Sequence, residues 1–340
     1  MVTVILTVLV FMIIIITHEF GHFIAAKSVG VLVHEFSIGF GPAIFKKQGK
    51  ETLYVLRAIP FGGFVKLEGE DEDSDDPRSL NNKPAWKRLV VMAAGAVFNL
   101  VTGLLVFLFI YMSMPKYNSL EVAKFTDDIP NAPAKYVMEV GDEIKAVNGK
   151  RVWNFNDFSF VMSMTKASQE LDVTVERDGR AVDLKITPVK YDGRYVLGFQ
   201  VAQKDMTLPA AIKLSFAQTV FIIKVVIYSF MMLVTGGVSM TEMSGPIGTG
   251  KVIGSAAKSG FFSLAQIFAL LAVNVGVFNL IPFPALDGGR IFFLLIEMIT
   301  RKKLPPEKEG MIHMIGFMLL IVLMIFVTSS DIYKLFMPKG

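Results

Sequence analysis

The 340-residue chain contains no cysteine. That excludes disulfides and thiolate metal ligands and leaves the redox compartment open. It has only four histidines, so any imidazole chemistry must be built from very few side chains. Excess charge is also scarce. A formal +4, with no basic cluster interleaved with stacking aromatics, gives no reason to expect nucleic acid as a partner. Internal repeats and low-complexity segments are missing as well. Most informative are the stretches without Asp, Glu, Lys or Arg, which cover residues 89–114, 261–286 and 311–330. Each is long enough to cross a hydrocarbon layer of about 30 Å at about 1.5 Å per residue. With 53% hydrophobic residues and a mean hydropathy of +0.53, the chain has more apolar sequence than a soluble protein of this length usually carries.

The expected fold is an α-helical polytopic membrane protein with about four transmembrane helices. Residues 1–26 form the first span. No basic residue precedes this apolar run and Lys27 follows it, which predicts an uncleaved helix with its N-terminus outside and Lys27 on the cytoplasmic side. Residues 27–88 alternate β-formers with glycine and proline, as in Phe36-Ser-Ile-Gly-Phe-Gly-Pro42 and Phe61-Gly-Gly-Phe-Val-Lys-Leu67. They predict a membrane-associated β-hairpin region on the cytoplasmic side, followed by a solvated acidic loop at 68–76. The second span is 89–114. Residues 115–205 are charged and mixed, and predict an inserted extracytoplasmic α+β domain. Within it, Gly141-Asp-Glu-Ile-Lys-Ala-Val-Asn-Gly-Lys-Arg-Val152 resembles the signature of a bacterial PDZ domain.

Residues 208–234 are apolar enough to span, but Lys213 and Lys224 interrupt them. Lysine in mid-span is costly, whereas lysine on the polar face of an interfacial helix is not. A fifth span would also place the basic loop 301–310 outside, against the positive-inside tendency. Residues 206–260 are therefore expected at the outer interface. The third span is 261–300, interrupted by Pro282 and Pro284. The fourth is 311–330, and 331–340 form a tail.

The chemistry is concentrated in His18-Glu19-Phe20-Gly21-His22. Helix positions i and i+4 share a face, so both imidazoles can reach one metal. Glu19 points to the neighbouring side, where it can take a proton from the attacking water, as in H-E-x-x-H zinc peptidases. Catalytic zinc usually has three protein ligands. A third is offered at membrane depth by Asp287, in Asn279-Leu-Ile-Pro282-Phe-Pro284-Ala-Leu-Asp287-Gly-Gly-Arg290, where two prolines break the helix. His34 and His313 are expected at interfaces rather than on the metal. Asn99, an amide in an apolar span, is open between an interhelical hydrogen bond and a functional role.

The two motifs together resemble the paired signatures of the site-2 protease family. The order span, loop, span, PDZ-like insert, span, span is similar to its RseP-type bacterial members, here with one PDZ-like domain. Gly39-Phe-Gly-Pro42, Ile59-Pro-Phe-Gly-Gly-Phe-Val-Lys66 and Ser244-Gly-Pro-Ile-Gly248 extend the resemblance along the chain. It implies that His18, His22 and Asp287 bind Zn2+, that Glu19 is catalytic, and that Asn279, with Pro282 beside it, contacts substrate. It also implies regulated intramembrane proteolysis of single-span membrane proteins already shortened by another protease, such as anti-sigma factors or signal-peptide remnants, among membrane lipids. The expected location is the cell membrane, with the active site toward the cytoplasm. Two rivals share some of these features. A metal transporter would use the His/Asp cluster but gives no reason for Glu19. A catalytically silent PDZ scaffold gives no reason for an intact H-E-x-x-H.

Overall fold

In lipid a backbone has no water to bond, so apolar runs must satisfy their own N–H and C=O groups, and helices do this locally. The computed structural model describes residues 2–70, 74–129, 132–165, 169–237, 244–303 and 305–336. In chain order it has α1 (Val2–Ser28), β1 (Val33–Gln48), β2 (Leu53–Leu67), α2 (Ala85–Met112), β3 (Lys116–Phe125), α3 (Ala134–Val137), β4 (Glu143–Val147), β5 (Lys150–Arg151) and α4 (Phe155–Ser163). There follow β6 (Leu171–Arg177), β7 (Arg180–Ile186), β8 (Val189–Tyr191), β9 (Arg194–Val196), β10 (Phe199–Asp205), α5 (Leu208–Val234), α6 (Pro246–Ser259), α7 (Phe261–Phe278), α8 (Asp287–Thr300) and α9 (Pro306–Phe336). Contacts divide the chain into two compact units, Met1–Val106 with Ile222–Gly340, and Phe107–Phe221. Part of the expected acidic loop (Asp71, Glu72 and Asp73) and the end of the tail, 337–340, lie outside the described residues.

Among the described residues five helices are long and apolar enough to cross a membrane: α1, α2, α5, α7 and residues 307–334 of α9. The chain is a multi-pass membrane protein. Length and composition therefore admit α5 alongside the four expected spans. Its Lys213 and Lys224 are both exposed. Eleven residues at about 100° each bring them to within about 20° of one another, so they share one face. The third expected span is two helices, because Pro282 and Pro284 keep residues 279–286 out of regular structure. The second starts earlier than the charge-free run, at Ala85, because Arg88 is buried against Glu297 of α8 instead of ending the helix.

Close helix crossings in the first unit run through glycine, as expected where packing and not the hydrophobic effect holds helices together. A Cβ on Gly21 of α1 would stand 2.5 Å from the Ala94 carbonyl oxygen of α2. One on Gly276 of α7 would stand 2.9 Å from the Ala96 carbonyl oxygen. Gly254 of α6 likewise admits Thr3 of α1, to within 2.5 Å of where its Cβ would be. The other end of α6 is fastened to α9, where the Gly248 N–H donates to Asp331 at 2.7 Å. A negative side chain at a helix N-terminus is favourable.

β1 and β2 form an antiparallel hairpin that bends back on itself. Glu35 to Ile38 have partners on both sides, residues 53–56 on one and 63–66 on the other. The bends need left-handed backbone at Gly39, Gly41 and Gly62, conformations that glycine adopts without strain. The hairpin exposes Phe40, Ile44, Phe45, Ile59 and Phe61.

The second unit is built on an antiparallel sheet of order β10-β3-β4-β6-β7, with β5 against β4. Its core holds Val122, Ile144, Leu171, Val173, Val175 and Ile186. Asn148-Gly149 and Asp178-Gly179, all with positive φ, make the two-residue turns of β4–β5 and β6–β7, the turn chemistry hairpins favour. The Asp142 carboxylate, fully buried, accepts Arg177 Nε and Nη2 at 2.7 Å each. The Arg177 guanidinium, helped by the Glu139 N–H, holds it below the usual carboxylate range.

Candidate metal centre and active site

The site assembles where α1, α2 and the start of α8 meet. His18 and His22 are buried, one turn apart on the same face of α1. Their Nε2 atoms are 3.2 Å apart. Asp287 Oδ2, on the first residue of α8, lies 3.0 Å from His18 Nε2 and 3.3 Å from His22 Nε2. Among the described residues these three form the one cluster of His, Asp and Glu donors able to share a metal ion.

The donors fit zinc. Two ligands about 2.0–2.1 Å from a tetrahedral centre stand about 3.3–3.4 Å apart, close to the separations seen here. The outer ring nitrogens are also arranged for it. His22 Nδ1 donates to the Val91 carbonyl oxygen at 2.8 Å, which leaves the Nε2 lone pair facing the cluster. His18 Nδ1 lies 3.5 Å from the Asn99 side-chain amide. Asn99 is wholly buried and, among the described residues, its Oδ1 has no hydrogen-bond partner. With the amide turned so that Oδ1 faces His18, it accepts the Nδ1 proton and bares the second Nε2 as well.

Val91, Gly95 and Asn99 recur at intervals of four along α2 and so form one stripe. The outer two hold the imidazoles, and Gly95 makes room for them. A Cβ there would come within 2.7 Å and 2.8 Å of His18 ring atoms. Neither Gly95 nor the Val91 carbonyl carries a signal in sequence, since one has no side chain and the other is backbone. For Asn99, a lone amide in an apolar span was the available clue.

A cavity of about 450 Å³ opens on the cluster. His18, Glu19, His22 and Asp287 line it, together with Met92, Glu70 and residues 64–67 of β2. The hairpin predicted at 27–88 thus supplies a wall of the site. β2 also passes beside the predicted base, with Gly63 facing Glu19. Glu70 accepts from Arg290, which follows Asp287 by one helical turn. The other nominated residues lie elsewhere. Asn279 ends α7 and is half-buried, its N–H bonded to the Val275 carbonyl oxygen at 3.0 Å. Pro282 is exposed in the break. Neither lines this cavity. His34 pairs with Glu68 and His313 meets the Ala285 N–H, so both stand outside the cluster.

Comparison with known proteins agrees with this chemistry. The sequence profile of peptidase family M50 matches residues 6–323. The chain is 39% identical over 333 residues to a Clostridium perfringens protein named, provisionally, as a zinc metalloprotease, covering 97% of this chain and 98% of that one. It is 29% identical over 424 residues to the regulator of sigma-W protease RasP of Bacillus subtilis, with 98% and 99% covered. Identity is again 29%, over 433 residues, with zinc metalloprotease RasP of Oceanobacillus iheyensis, with 99% and 100% covered. The chain therefore belongs to peptidase family M50, the site-2 proteases, and is a zinc-dependent metalloprotease of the membrane.

Proposed function

We propose that this protease cuts the membrane-spanning segments of single-span proteins, with His18, His22 and Asp287 as zinc ligands and Glu19 as the catalytic base. The convergence of the three donors beside Glu19, in one cavity lined by α1, α2, the start of α8 and β2, carries this reading. Zinc held there would polarise the scissile carbonyl and lower the pKa of the attacking water. The Glu19 carboxylate takes the proton of that water and delivers it to the leaving nitrogen. His22 and His18 stay oriented through Val91 and Asn99, so their Nε2 atoms need no reorganisation during the reaction.

A helical substrate hides its carbonyls in its own hydrogen bonds and must unwind to be cut. Residues 64–67 of β2 line the cavity, and an extended substrate strand paired there would satisfy the freed backbone groups. Asn279 and Pro282, ahead of Asp287 in the same break, would hold the substrate beyond the cavity. The name of the Bacillus subtilis relative ties that protein to sigma-W regulation. That name supports anti-sigma factors as a substrate class here, beside signal-peptide remnants, and we infer that both reach the enzyme already shortened by another protease. In detergent, the purified chain should cleave a model one-span substrate, lose the activity to a chelator and regain it with zinc. Cleavage that survives complete metal removal would overturn the proposal.

The proposed topology has four spans, with the PDZ-like insert 115–205 outside and α5 at the outer interface. The exposure of Lys213 and Lys224 on one face of α5 supports it. The chain has no cysteine of its own, so Lys213→Cys and Lys224→Cys can be probed without background. Both should react with an impermeant thiol reagent applied to intact cells. Labelling confined to lysed cells would make α5 a span or a buried helix.

A further inference from the structure

His313 and Gly316 lie three residues apart on α9 and so share a face. Both meet the break that delivers Asp287. The Ala285 N–H donates to His313 Nδ1 at 3.0 Å. A Cβ on Gly316 would stand 2.6 Å from the Pro284 carbonyl carbon, so α9 lies directly against the break. Ala285 has a φ of +80°, a region that residues with a side chain avoid. Such a conformation persists only where its surroundings over-determine it. The prolines deny the segment helical hydrogen bonds, and the contact holding Ala285 comes from another helix. Two residues later stands Asp287. Its own neighbours are crowded too, since a Cβ on Gly289 would meet the Phe283 carbonyl oxygen at 2.7 Å. A change at Ala285 therefore has little room to be absorbed before it reaches the carboxylate.

The imidazole is itself well held. Its side chain is 17% exposed, and it meets the Phe293 ring edge-on at 6.1 Å between centroids. Among the described residues Nε2 is buried without a hydrogen-bond partner, and the Glu309 carboxylate stands 3.9 Å away. Among the described residues only the Nδ1 side of the ring makes a hydrogen bond, and there it is an acceptor.

We propose that His313 is a positioning residue for the metal centre: by accepting the Ala285 N–H it holds the break in its left-handed turn and so aims the Asp287 carboxylate at His18 and His22. The inference rests on the reading of Asp287 as a zinc ligand. His313 takes no part in proton transfer and binds no metal.

The test uses the full-length protein in detergent and two readouts independent of catalysis: zinc affinity by competition with a chelating dye, and the visible absorption of the cobalt-substituted protein, which reports ligand geometry. His313→Leu removes the acceptor and keeps the bulk. His313→Asn keeps an acceptor near the position of Nδ1. His313→Leu should bind zinc about ten- to a hundredfold more weakly, the range for losing a ligand's outer-shell support, with an altered cobalt spectrum. His313→Asn should stay close to wild type in both. If the two variants behave alike, whether both intact or both equally impaired, acceptance at Nδ1 is not the role and the proposal falls. Asp287→Asn measured alongside separates the two ideas. Unchanged zinc binding in that variant removes the ligand assignment itself, whereas loss there with a normal His313→Leu removes only the role of His313. Should His313→Leu fail to accumulate, hydrogen exchange at the Ala285 amide of the wild type decides. Protection supports the bond, and exchange at the rate of a free amide overturns it.

Discussion

Glu19→Gln is expected to lose cleavage while keeping its zinc. Glutamine matches glutamate in size, so the α1 helix and the cavity wall that Glu19 shares with β2 keep their shape. Glutamine cannot accept and return a proton, and a positioned general base is worth about 10²–10⁴ in rate. Metal content is untouched, because the donors that converge are His18, His22 and Asp287 and not Glu19. The measurement is turnover of a one-span substrate beside zinc content on the same preparation. Turnover within about tenfold of wild type would assign the base elsewhere. Loss of zinc together with activity would make Glu19 part of the metal shell.

The second large effect is on the metal itself. Asp287→Asn keeps the side chain's shape at the start of α8 but replaces an anionic oxygen with a neutral amide, a poor zinc donor. Asp287 Oδ2 is the atom that closes the triangle with the two imidazoles, at 3.0 Å and 3.3 Å. Zinc affinity should fall by more than about a hundredfold, beyond what outer-shell changes cause, and cleavage should fall with it. Normal zinc stoichiometry and turnover would show that another group completes the site.

Much of this was legible in the residues because it depends on short-range periodicity. His18 and His22 share a face at any place where residues 18–22 are helical, and the charge-free runs predict helix wherever lipid is the solvent. Asp287 stood out because it is the only acidic residue between 261 and 296, next to a double-proline break. The hairpin could be anticipated from its glycine-spaced β-formers. Its use as a wall of the cavity could not, because residues 64–67 reach Glu19 and Met92 only through space. The helix α2 begins before the charge-free run for a related reason. Arg88 looks like a terminus in sequence, and it sits inside the helix because Glu297, from a distant helix, pairs with it.

By itself the sequence determined the helices, the two histidines with their neighbouring glutamate on one face of α1, and the break that frees Asp287. These follow from backbone periodicity, proline chemistry and the cost of polar groups in lipid, which act over a few residues. Only the tertiary structure decided what surrounds those groups: the stripe of Val91, Gly95 and Asn99 on α2, the β2 wall, and His313 of α9 beneath the turn at Ala285. Those contacts depend on close approaches permitted by Gly21, Gly95 and Gly316. A glycine has no side chain to announce its partner, so the approach it allows becomes visible only when the helices are together.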